Sequence, residues 1–313
     1  MASATRPTVT VAELSSWCTS CLGAPIREVV FERGYSSAVF GVALTDDRMV
    51  VIKVRPWRDR LMSCWQVHQE LFDAGFPCPE PLRPTERLSG LAVSFENFVA
   101  GGGKFPRGRE AATALARVLA DLVRVTPAPD CVGPLAPDLG FLRWADAVDG
   151  RWPPASDISD DLNAVRDPTW IEDYAARLRV KLIGVHLPNV IGHGDWWSEN
   201  IRWVAGELLA VDDWDSLVVL PEAAIAGVAA SLFADGASTI DETDTFLDSY
   251  VATSGHDWTE VEVQIAWAAG LWARLFDARK DTTWGSSTSV DRLEAEVEER
   301  ALRAGVETGR SVL

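Results

Sequence analysis

Two short segments of the chain carry residue types that suit one reaction. Residues 193–200 read His-Gly-Asp-Trp-Trp-Ser-Glu-Asn, and an apolar run further on ends in Asp-Trp-Asp at 213–215. A carboxylate such as Asp195 can orient a hydroxyl group, and the side-chain oxygens of Asn200 and Asp213 can bind Mg²⁺ beside a nucleotide triphosphate. The residue types and their spacing therefore indicate phosphoryl transfer.

The segment between these two motifs predicts how they meet. Ile201, Trp203 and Val204 on one side of Ala205-Gly206 and the apolar residues 208–211 on the other are typical of a β-hairpin, which would return Asp213 toward Asn200. Asp212 and Asp213 are adjacent and point to opposite faces if the strand continues, so spacing alone leaves both as candidates. Acidic loops of this kind also occur as solvated chain reversals without any catalytic role.

The combined pattern resembles the active-site core of the aminoglycoside phosphotransferase family, which are small-molecule kinases with a protein-kinase-like fold. The resemblance implies that Asp195 orients the acceptor hydroxyl and that Asn200 and Asp213 bind the Mg²⁺ ions that bridge the phosphates of ATP. The family pattern of two apolar residues, Asp, an aromatic residue and an acid favours Asp213 and leaves Asp212 as the fallback.

The resemblance implies an α+β, two-lobed fold. Residues 1–98 would form an N-terminal lobe with an antiparallel sheet that binds the nucleotide, and residues 99–313 a larger, mainly helical lobe with the catalytic and acceptor sites. The local patterns agree. Strands are predicted at 28–31, 38–44, 49–54 and 91–99, and helices at 9–22, 61–74, 109–124, 169–185, 221–233, 241–253, 259–280 and 288–304.

One conspicuous charge lies within the third predicted strand, Val50-Val51-Ile52-Lys53-Val54. A lone Lys in such a run often faces water. In the resembling kinases a Lys at this place holds the α and β phosphates, and an acid on the following helix fixes its position. We therefore predict an ion pair between Lys53 and Glu70, which lies on the predicted helix 61–74.

Two loops complete the nucleotide site that the resemblance implies. The turn between the first two strands contains Ser36 and Ser37, whose backbone amides would cradle the phosphates; an ordinary hairpin is the alternative. The strand that ends at Val99 would be followed by the hinge between the lobes, where main-chain groups near Glu96 and Phe98 would bind adenine. The next residues, Gly101-Gly102-Gly103, predict a flexible connection.

Net charge limits the class of partner. The chain of 313 residues has a formal net charge of −17, which argues against a nucleic-acid partner. Residues 1–100 hold 10 basic and 11 acidic side chains, whereas residues 101–313 hold 19 and 35. This asymmetry would attract a cationic substrate, or it is simply a solvated helical surface. A small hydroxylated acceptor is expected, with no protein partner implied.

Cysteine usage and hydropathy indicate a cytoplasmic location. Five cysteines are spread through a chain with no export signal, which favours reduced thiols, and Cys18-Thr19-Ser20-Cys21 lacks the further ligands of a zinc site. We find no run of about eighteen apolar residues, so no membrane-spanning helix is expected.

Three rival interpretations of the motifs differ in substrate or activity. A protein kinase would carry Lys where Trp197 stands and a longer segment between Asp213 and the next helix. Trp197-Ser198 also resembles the loop of the ketosamine kinases, although their metal-binding Asp precedes Pro. A catalytically inactive nucleotide-binding protein would lack one of the site residues.

Two further expectations concern the surroundings of the catalytic loop. The family usually has a second Asp after the metal-binding Asp that braces the loop, and here only Glu222 could take its place. Trp196 and Trp197 lie inside the loop, where flat apolar rings would suit a sugar or a polycyclic acceptor, although a core position is the commoner fate of a Trp.

Overall fold

A five-stranded antiparallel sheet forms the first part of the chain. The computed structural model describes residues 6–34, 37–146, 150–155, 160–164 and 167–308. The strands are β1 (Ile26–Arg33), β2 (Ala38–Leu44), β3 (Met49–Pro56), β4 (Glu86–Leu88) and β5 (Leu91–Asn97), in the order β1-β2-β3-β5-β4. Because side chains alternate along β3, Val50, Ile52 and Val54 are buried against one layer while Lys53 faces the other side.

Helix α1 (Val11–Leu22) covers the apolar face of this sheet. Thr10 and Glu13 form a capping box at its start, and Gly23 ends it in the left-handed region at φ 79°. Leu14, Trp17 and Cys18 pack with Ile52 and its neighbours in a hydrophobic cluster that is separate from the larger core.

Helix α2 (Arg60–Asp73) lies between β3 and β4 in sequence, yet its buried side chains pack with the helices that follow the sheet. Its buried residues Cys64, Val67 and Leu71 belong to the larger hydrophobic cluster, together with residues of the helices that follow β5. The predicted N-terminal lobe therefore contributes one helix to the core of the second lobe.

The second part of the described chain is mainly helical. Its helices are α3 (Arg109–Val125), α4 (Thr169–Gly184), α5 (Glu222–Leu232), α6 (Ile240–Ser254), α7 (Glu260–Thr283), α8 (Thr288–Glu294) and α9 (Val297–Arg303). The central contact joins α5 and α7 at glycines. A Cβ on Gly227 would lie 1.9 Å from the Ala266 carbonyl oxygen, and one on Gly270 would lie 2.1 Å from Ser231 Oγ. The two helices approach this closely because neither residue has a side chain.

Two small strand pairs carry the polar loops. β6 (Asn189–His193) pairs with β9 (Leu217–Pro221), and β7 (Ile201–Val204) pairs with β8 (Glu207–Val211). The predicted hairpin around Ala205-Gly206 is thus confirmed, and with the sheet and the helices so is the predicted α+β class.

Four elements differ from the prediction. Strands β4, β6 and β9 were not predicted, because they are short and, unlike β7 and β8, β6 and β9 are not adjacent in sequence and are not joined by a hairpin turn. The predicted helix 288–304 is divided into α8 and α9, with no Gly or Pro between them to indicate the break. Within the described ranges, we find no helix that is long and apolar enough to cross a bilayer.

Candidate active site

The loop after β6 is held in place by the ring of His193. Its Nε2 lies 3.2 Å from the Asp212 carbonyl oxygen and 3.1 Å from that of Asp213, and its Nδ1 lies 3.3 Å from the Asp195 amide nitrogen. A ring that donates at Nε2 and accepts at Nδ1 is neutral. Burial lowers the pKa of His193 to about 4, which agrees with that state. His193 thus joins the two motifs.

Asp195 follows directly and has its orientation fixed by Asn200. Asn200 Nδ2 donates to the Asp195 carbonyl oxygen at 2.9 Å and to Oδ2 at 3.2 Å. Burial raises the pKa of Asp195 to about 6, with the charges of Asp215 and Glu199 acting in the same direction and the Asn200 hydrogen bond opposing them.

Asp213 lies on the opposite side of this loop and faces Lys53. Its backbone is in the left-handed region at φ 68°, which is uncommon for a residue other than Gly and is often found at functional sites. Lys53 Nζ lies 3.4 Å from Asp213 Oδ1, and Ser216 Oγ donates to Oδ2 at 3.1 Å. Burial raises the pKa of Asp213 to about 7, and Asp215 adds to the shift while Lys53 opposes it.

The prediction that Lys53 forms an ion pair with Glu70 is wrong. Lys53 Nζ lies 3.5 Å from Glu96 Oε1, and both side chains are buried, whereas Glu70 is exposed and accepts a hydrogen bond from Gln66. The cause is the register of the sheet. Lys53 pairs with Ser94 across β3 and β5, so Glu96 two residues along lies on the same face. Burial disfavours the ammonium, but the carboxylates of Glu96 and Asp213 outweigh it and raise the pKa of Lys53.

The same contact changes the interpretation of Glu96. Its side chain forms an ion pair with the Lys53 ammonium rather than with a group at the adenine site. The nearby Phe98 amide donates to the Met49 carbonyl oxygen at 3.0 Å. The Phe98 ring lies 6.0 Å from that of Phe31 on β1. Adenine binding near Glu96 and Phe98 stays a prediction.

Of the two serines predicted to cradle phosphates, Ser37 lines the cleft that contains Asp195 and Asp213, and Ser36 lies outside the described residues. Gly34, which precedes them, has φ 109°, and a Cβ there would lie 2.0 Å from the Ser37 carbonyl oxygen. The Ser37 carbonyl can lie this close to Gly34 because Gly has no side chain.

Asp212, the fallback for Asp213, has a different partner. Arg202 Nε donates to Asp212 Oδ2 at 2.6 Å, and Arg202 Nη1 donates to the carbonyl oxygens of Val99 and Gly101 at 2.7 and 2.8 Å. Gly103 exchanges two backbone hydrogen bonds with Trp203 of β7. The glycine-rich connection that was predicted to be flexible is therefore bonded to the β7–β8 hairpin.

Arg55 and Asp215 are site residues that the sequence analysis missed. Arg55 Nε lies 3.3 Å from Asp215 Oδ2 beside Lys53 and Asp213. Burial opposes ionisation of Asp215, but Arg55 and Lys53 outweigh it and hold the pKa of Asp215 below its usual value. The signal was present, since Arg55 is two residues from Lys53 in an alternating strand and therefore shares its face.

The expectations for Glu222 and Trp196 are not met, whereas the role of Trp197, which is partly buried, stays a prediction. Glu222 accepts a hydrogen bond from Tyr250 at 2.9 Å on α6, so its contacts lie away from the catalytic loop. The loop is instead held by the Ser198 amide, which donates to the Phe233 carbonyl oxygen, and by the Trp196 indole, which donates to that of Leu115. Trp196 is buried in the core and cannot present its face to an acceptor.

The donor set suits Mg²⁺ better than a softer metal. Among the described residues, no group of three His, Cys, Asp or Glu side chains could hold a metal ion by itself. Asp213 and Asn200 offer oxygens only, and Mg²⁺ commonly takes one or two carboxylates and completes its shell with phosphate oxygens and water. Burial, with a smaller contribution from neighbouring carboxylates, raises the pKa of Asp195 and of Asp213, and a bound divalent cation would favour their ionised forms. All five cysteines are free thiols, as predicted.

Comparison with known proteins identifies the family of the chain and agrees with this fold. Residues 28–263 match the model of the phosphotransferase enzyme family, so the chain belongs to that family and is a phosphotransferase. Comparison with curated protein sequences finds no match.

Solved structures of small-molecule kinases are similar to the chain throughout its length. Spectinomycin phosphotransferase in complex with ADP and spectinomycin has 12% identity and a TM-score of 0.62, covering 96% of this chain and 94% of that one. Amicoumacin kinase with AMP-PNP and Ca²⁺ has 11% identity and a TM-score of 0.63, covering 89% and 90%. A putative aminoglycoside phosphotransferase from Ralstonia eutropha has 15% identity and a TM-score of 0.59, covering 94% and 96%. These similarities confirm the kinase-like fold.

Proposed function

We propose that the protein transfers the γ-phosphoryl group of ATP to a hydroxyl group of a small molecule, with Mg²⁺ as its cofactor and in the cytoplasm. The observation that supports this most strongly is the pair formed by Lys53 and Asp213 at 3.4 Å, beside Asp195 in the same cleft. An ammonium and two carboxylates in one cleft can hold phosphates and a cation while a base orients the acceptor.

Each residue has a distinct part in this proposal. Lys53, anchored by Glu96, donates to the α and β phosphates, and Ser37 of the β1–β2 turn lies over them. Mg²⁺ held by Asp213 and Asn200 would neutralise charge on the phosphates. Asp195 accepts the hydrogen bond of the acceptor hydroxyl and takes up its proton as the phosphoryl group transfers. Asn200 keeps the Asp195 carboxylate directed toward the acceptor.

Asp195→Asn tests the proposal most directly. The amide keeps the size of the side chain but cannot accept the hydroxyl proton, so turnover should fall by ~10²-fold or more. Binding of MgADP, measured by calorimetry, should stay within about twofold of the wild type, because Lys53 and Asp213 are unchanged. The assay is coupled ADP release over aminoglycosides, macrolides, ketosamines, hexosamines, sugar acids and amino alcohols.

Two outcomes would count against the proposal. Near-normal turnover in Asp195→Asn would show that Asp195 does not accept the proton of the acceptor hydroxyl. Tight MgATP binding by the wild type without turnover of any acceptor would instead favour the rival interpretation, a nucleotide-binding protein without catalysis.

A further inference from the structure

The part of the cleft beyond Lys53 is lined by arginines, despite the acidity of the chain as a whole. A cavity of about 180 Å³ has Asp195 and Asp213 in its wall, and Arg55, Arg58 and Arg60 line it as well. All three arginines come from the end of β3 and the start of α2, so they share one wall. Asp138 and Asp215 also line the cavity, so four carboxylates and three guanidinium groups face one another there.

Arg60 holds the wall in place. Its Nε donates to the Ala136 carbonyl oxygen at 3.1 Å, its Nη1 donates to that of Asp215 at 2.6 Å, and its Nη2 donates to that of Leu217. With all three nitrogens engaged by main-chain oxygens, Arg60 connects α2 to the segment after Asp213 and has little capacity left for a ligand.

Arg58 is the arginine that remains available. Its side chain is 44% exposed and forms an ion pair with Asp138 across the cavity. Burial lowers the pKa of Arg58, and the positive charges of Arg60 and Arg143 lower it further. The guanidinium groups of Arg58 and Arg60 thus repel each other. Helix α2 begins at Arg60, so the positive end of its dipole lies at this wall.

Arg55 supplies further unused donors deeper in the same cavity. Its Nε and Nη1 are buried and form no hydrogen bond, and Oδ1 of its neighbour Asp215 is also buried without one. A buried guanidinium with unpaired N–H groups is costly unless a ligand or water completes its bonds. The cavity therefore offers guanidinium donors from Arg58 and Arg55, and Asp195 of the catalytic loop lines the same cavity.

We infer that the acceptor of this phosphotransferase carries an anionic group, a carboxylate or a phosphate, which Arg58 binds with support from Arg55 while the hydroxyl group faces Asp195. This inference rests on the proposed function and replaces the expectation of a cationic acceptor drawn from net charge. The acceptor anion displaces Asp138 from Arg58, because a planar guanidinium binds such oxygens in a bidentate manner. The acidic side chains of residues 101–313 that lie outside the cavity do not contact the acceptor.

Two series of probes that differ in charge test the inference. The hexoses glucuronate, glucose and glucosamine form one series, and glycerate, glycerol and serinol form a smaller one. Each compound is measured by coupled ADP release and, with MgADP present, by calorimetric binding to the full-length protein. In at least one series the anionic member should bind at least about tenfold more tightly than the cationic member, the scale of one charged contact.

Four variants test whether Arg58 is the side chain that binds the anionic group. Arg58→Gln should raise KM or Kd for the anionic probe by about tenfold and change the neutral probe by less than about twofold, with KM for ATP unchanged. Asp138→Asn should have the opposite effect, because it frees Arg58. The matched controls are Arg27→Gln and Asp47→Asn, which remove a similar ion pair on the far surface of the sheet and should change nothing.

The outcomes separate this inference from the proposed function. Preference for the cationic probes, no preference in either series, or equal effects of Arg58→Gln on charged and neutral probes would overturn the anionic acceptor. If neutral or cationic compounds are phosphorylated in that case, the proposed phosphotransferase function is supported and only the anionic acceptor is rejected. An increase in KM for ATP in Arg58→Gln would assign the arginine to the nucleotide and would also overturn the inference.

Discussion

Lys53 lies between two carboxylates that come from different parts of the chain, Glu96 on β5 and Asp213 after β8. Neither partner belongs to helix α2. The position of the ammonium therefore depends on the register of β3 and β5 rather than on the placement of a helix. The contacts that hold the Lys53 ammonium therefore do not depend on the position of α2.

Glu96→Gln tests this anchoring, with Glu70→Gln as its matched control. Loss of the Glu96 charge leaves Lys53 attracted to Asp213 alone, so kcat/KM for ATP should fall by about tenfold. Glu70→Gln removes an exposed charge from α2 and should have no measurable effect. Steady-state kinetics with varied ATP provides the measurement. A similar loss in both variants would show that Lys53 exchanges Glu96 for Glu70 during turnover.

At the scale of elements, the β7–β8 hairpin connects the catalytic loop to the chain segment that leaves the sheet. Arg202 of β7 binds Asp212 and two carbonyl oxygens of the 98–103 connection, and Gly103 pairs with Trp203. Gly102 has φ 79°, and a Cβ there would lie 2.7 Å from Leu209. The β7–β8 hairpin can pack closely against the 98–103 connection because residue 102 is Gly. This contact helps to set the distance between the five-stranded sheet and the catalytic loop.

Arg202→Lys should loosen this connection. A Lys cannot reach Asp212 and two carbonyl oxygens at once, so unfolding free energy should fall by about 1–3 kcal/mol. KM for ATP should rise, because the adenine site is predicted beside the same connection. Urea denaturation and steady-state kinetics measure the two effects. The control is Arg124→Lys, at an exposed pair on α3; equal losses in both variants would contradict a specific role for Arg202.

At the scale of the whole molecule, the sheet and the helical part meet through aromatic contacts behind the site. His68 of α2 stacks on Trp214 with ring centroids 4.9 Å apart, and its Nε2 lies 2.8 Å from the Pro79 carbonyl oxygen. Phe76 contacts the edge of the same indole. Burial lowers the pKa of His68 to about 4, so the folded protein keeps the ring neutral.

Because His68 is buried as a neutral ring, we expect the free energy of unfolding to decrease in mild acid. The unfolded chain takes up a proton near pH 6.5 and the folded chain only near pH 4, so the contribution of His68 is present above pH 6.5 and decreases as pH falls toward 4. From pH 7 to pH 5 the loss should be about 2 kcal/mol. His68→Phe keeps the stacking and cannot be protonated.

Urea denaturation of both proteins at pH 7 and pH 5 measures the difference. The variant should be somewhat less stable at pH 7, where it lacks the Pro79 bond, but should lose about 2 kcal/mol less than the wild type on going to pH 5. His193 and the carboxylates titrate in both proteins and cancel. Equal pH dependence would show that His68 is not the titrating group.

The sequence by itself determined the α+β class, most helices and the hairpin between the two motifs, because these depend on periodicity and on turns within a few residues. The spacing of Asp195, Asn200 and Asp213 within two short segments indicated these residues, and the family resemblance added Lys53. Their roles stay proposals, but in the structure Asp195 and Asp213 line one cleft, Lys53 contacts Asp213 and Asn200 contacts Asp195.

Only the tertiary structure decided which distant side chains meet. The partner of Lys53 depends on strand register, the separation of Asp212 from the cleft depends on Arg202, and the burial of Trp196 depends on α3. The arginine wall brings the end of β3 and the start of α2 against a cavity formed by residues about 80 to 160 positions later. Charge composition cannot reveal such a wall, because an electrostatic potential depends on distances that exist only after the chain has folded.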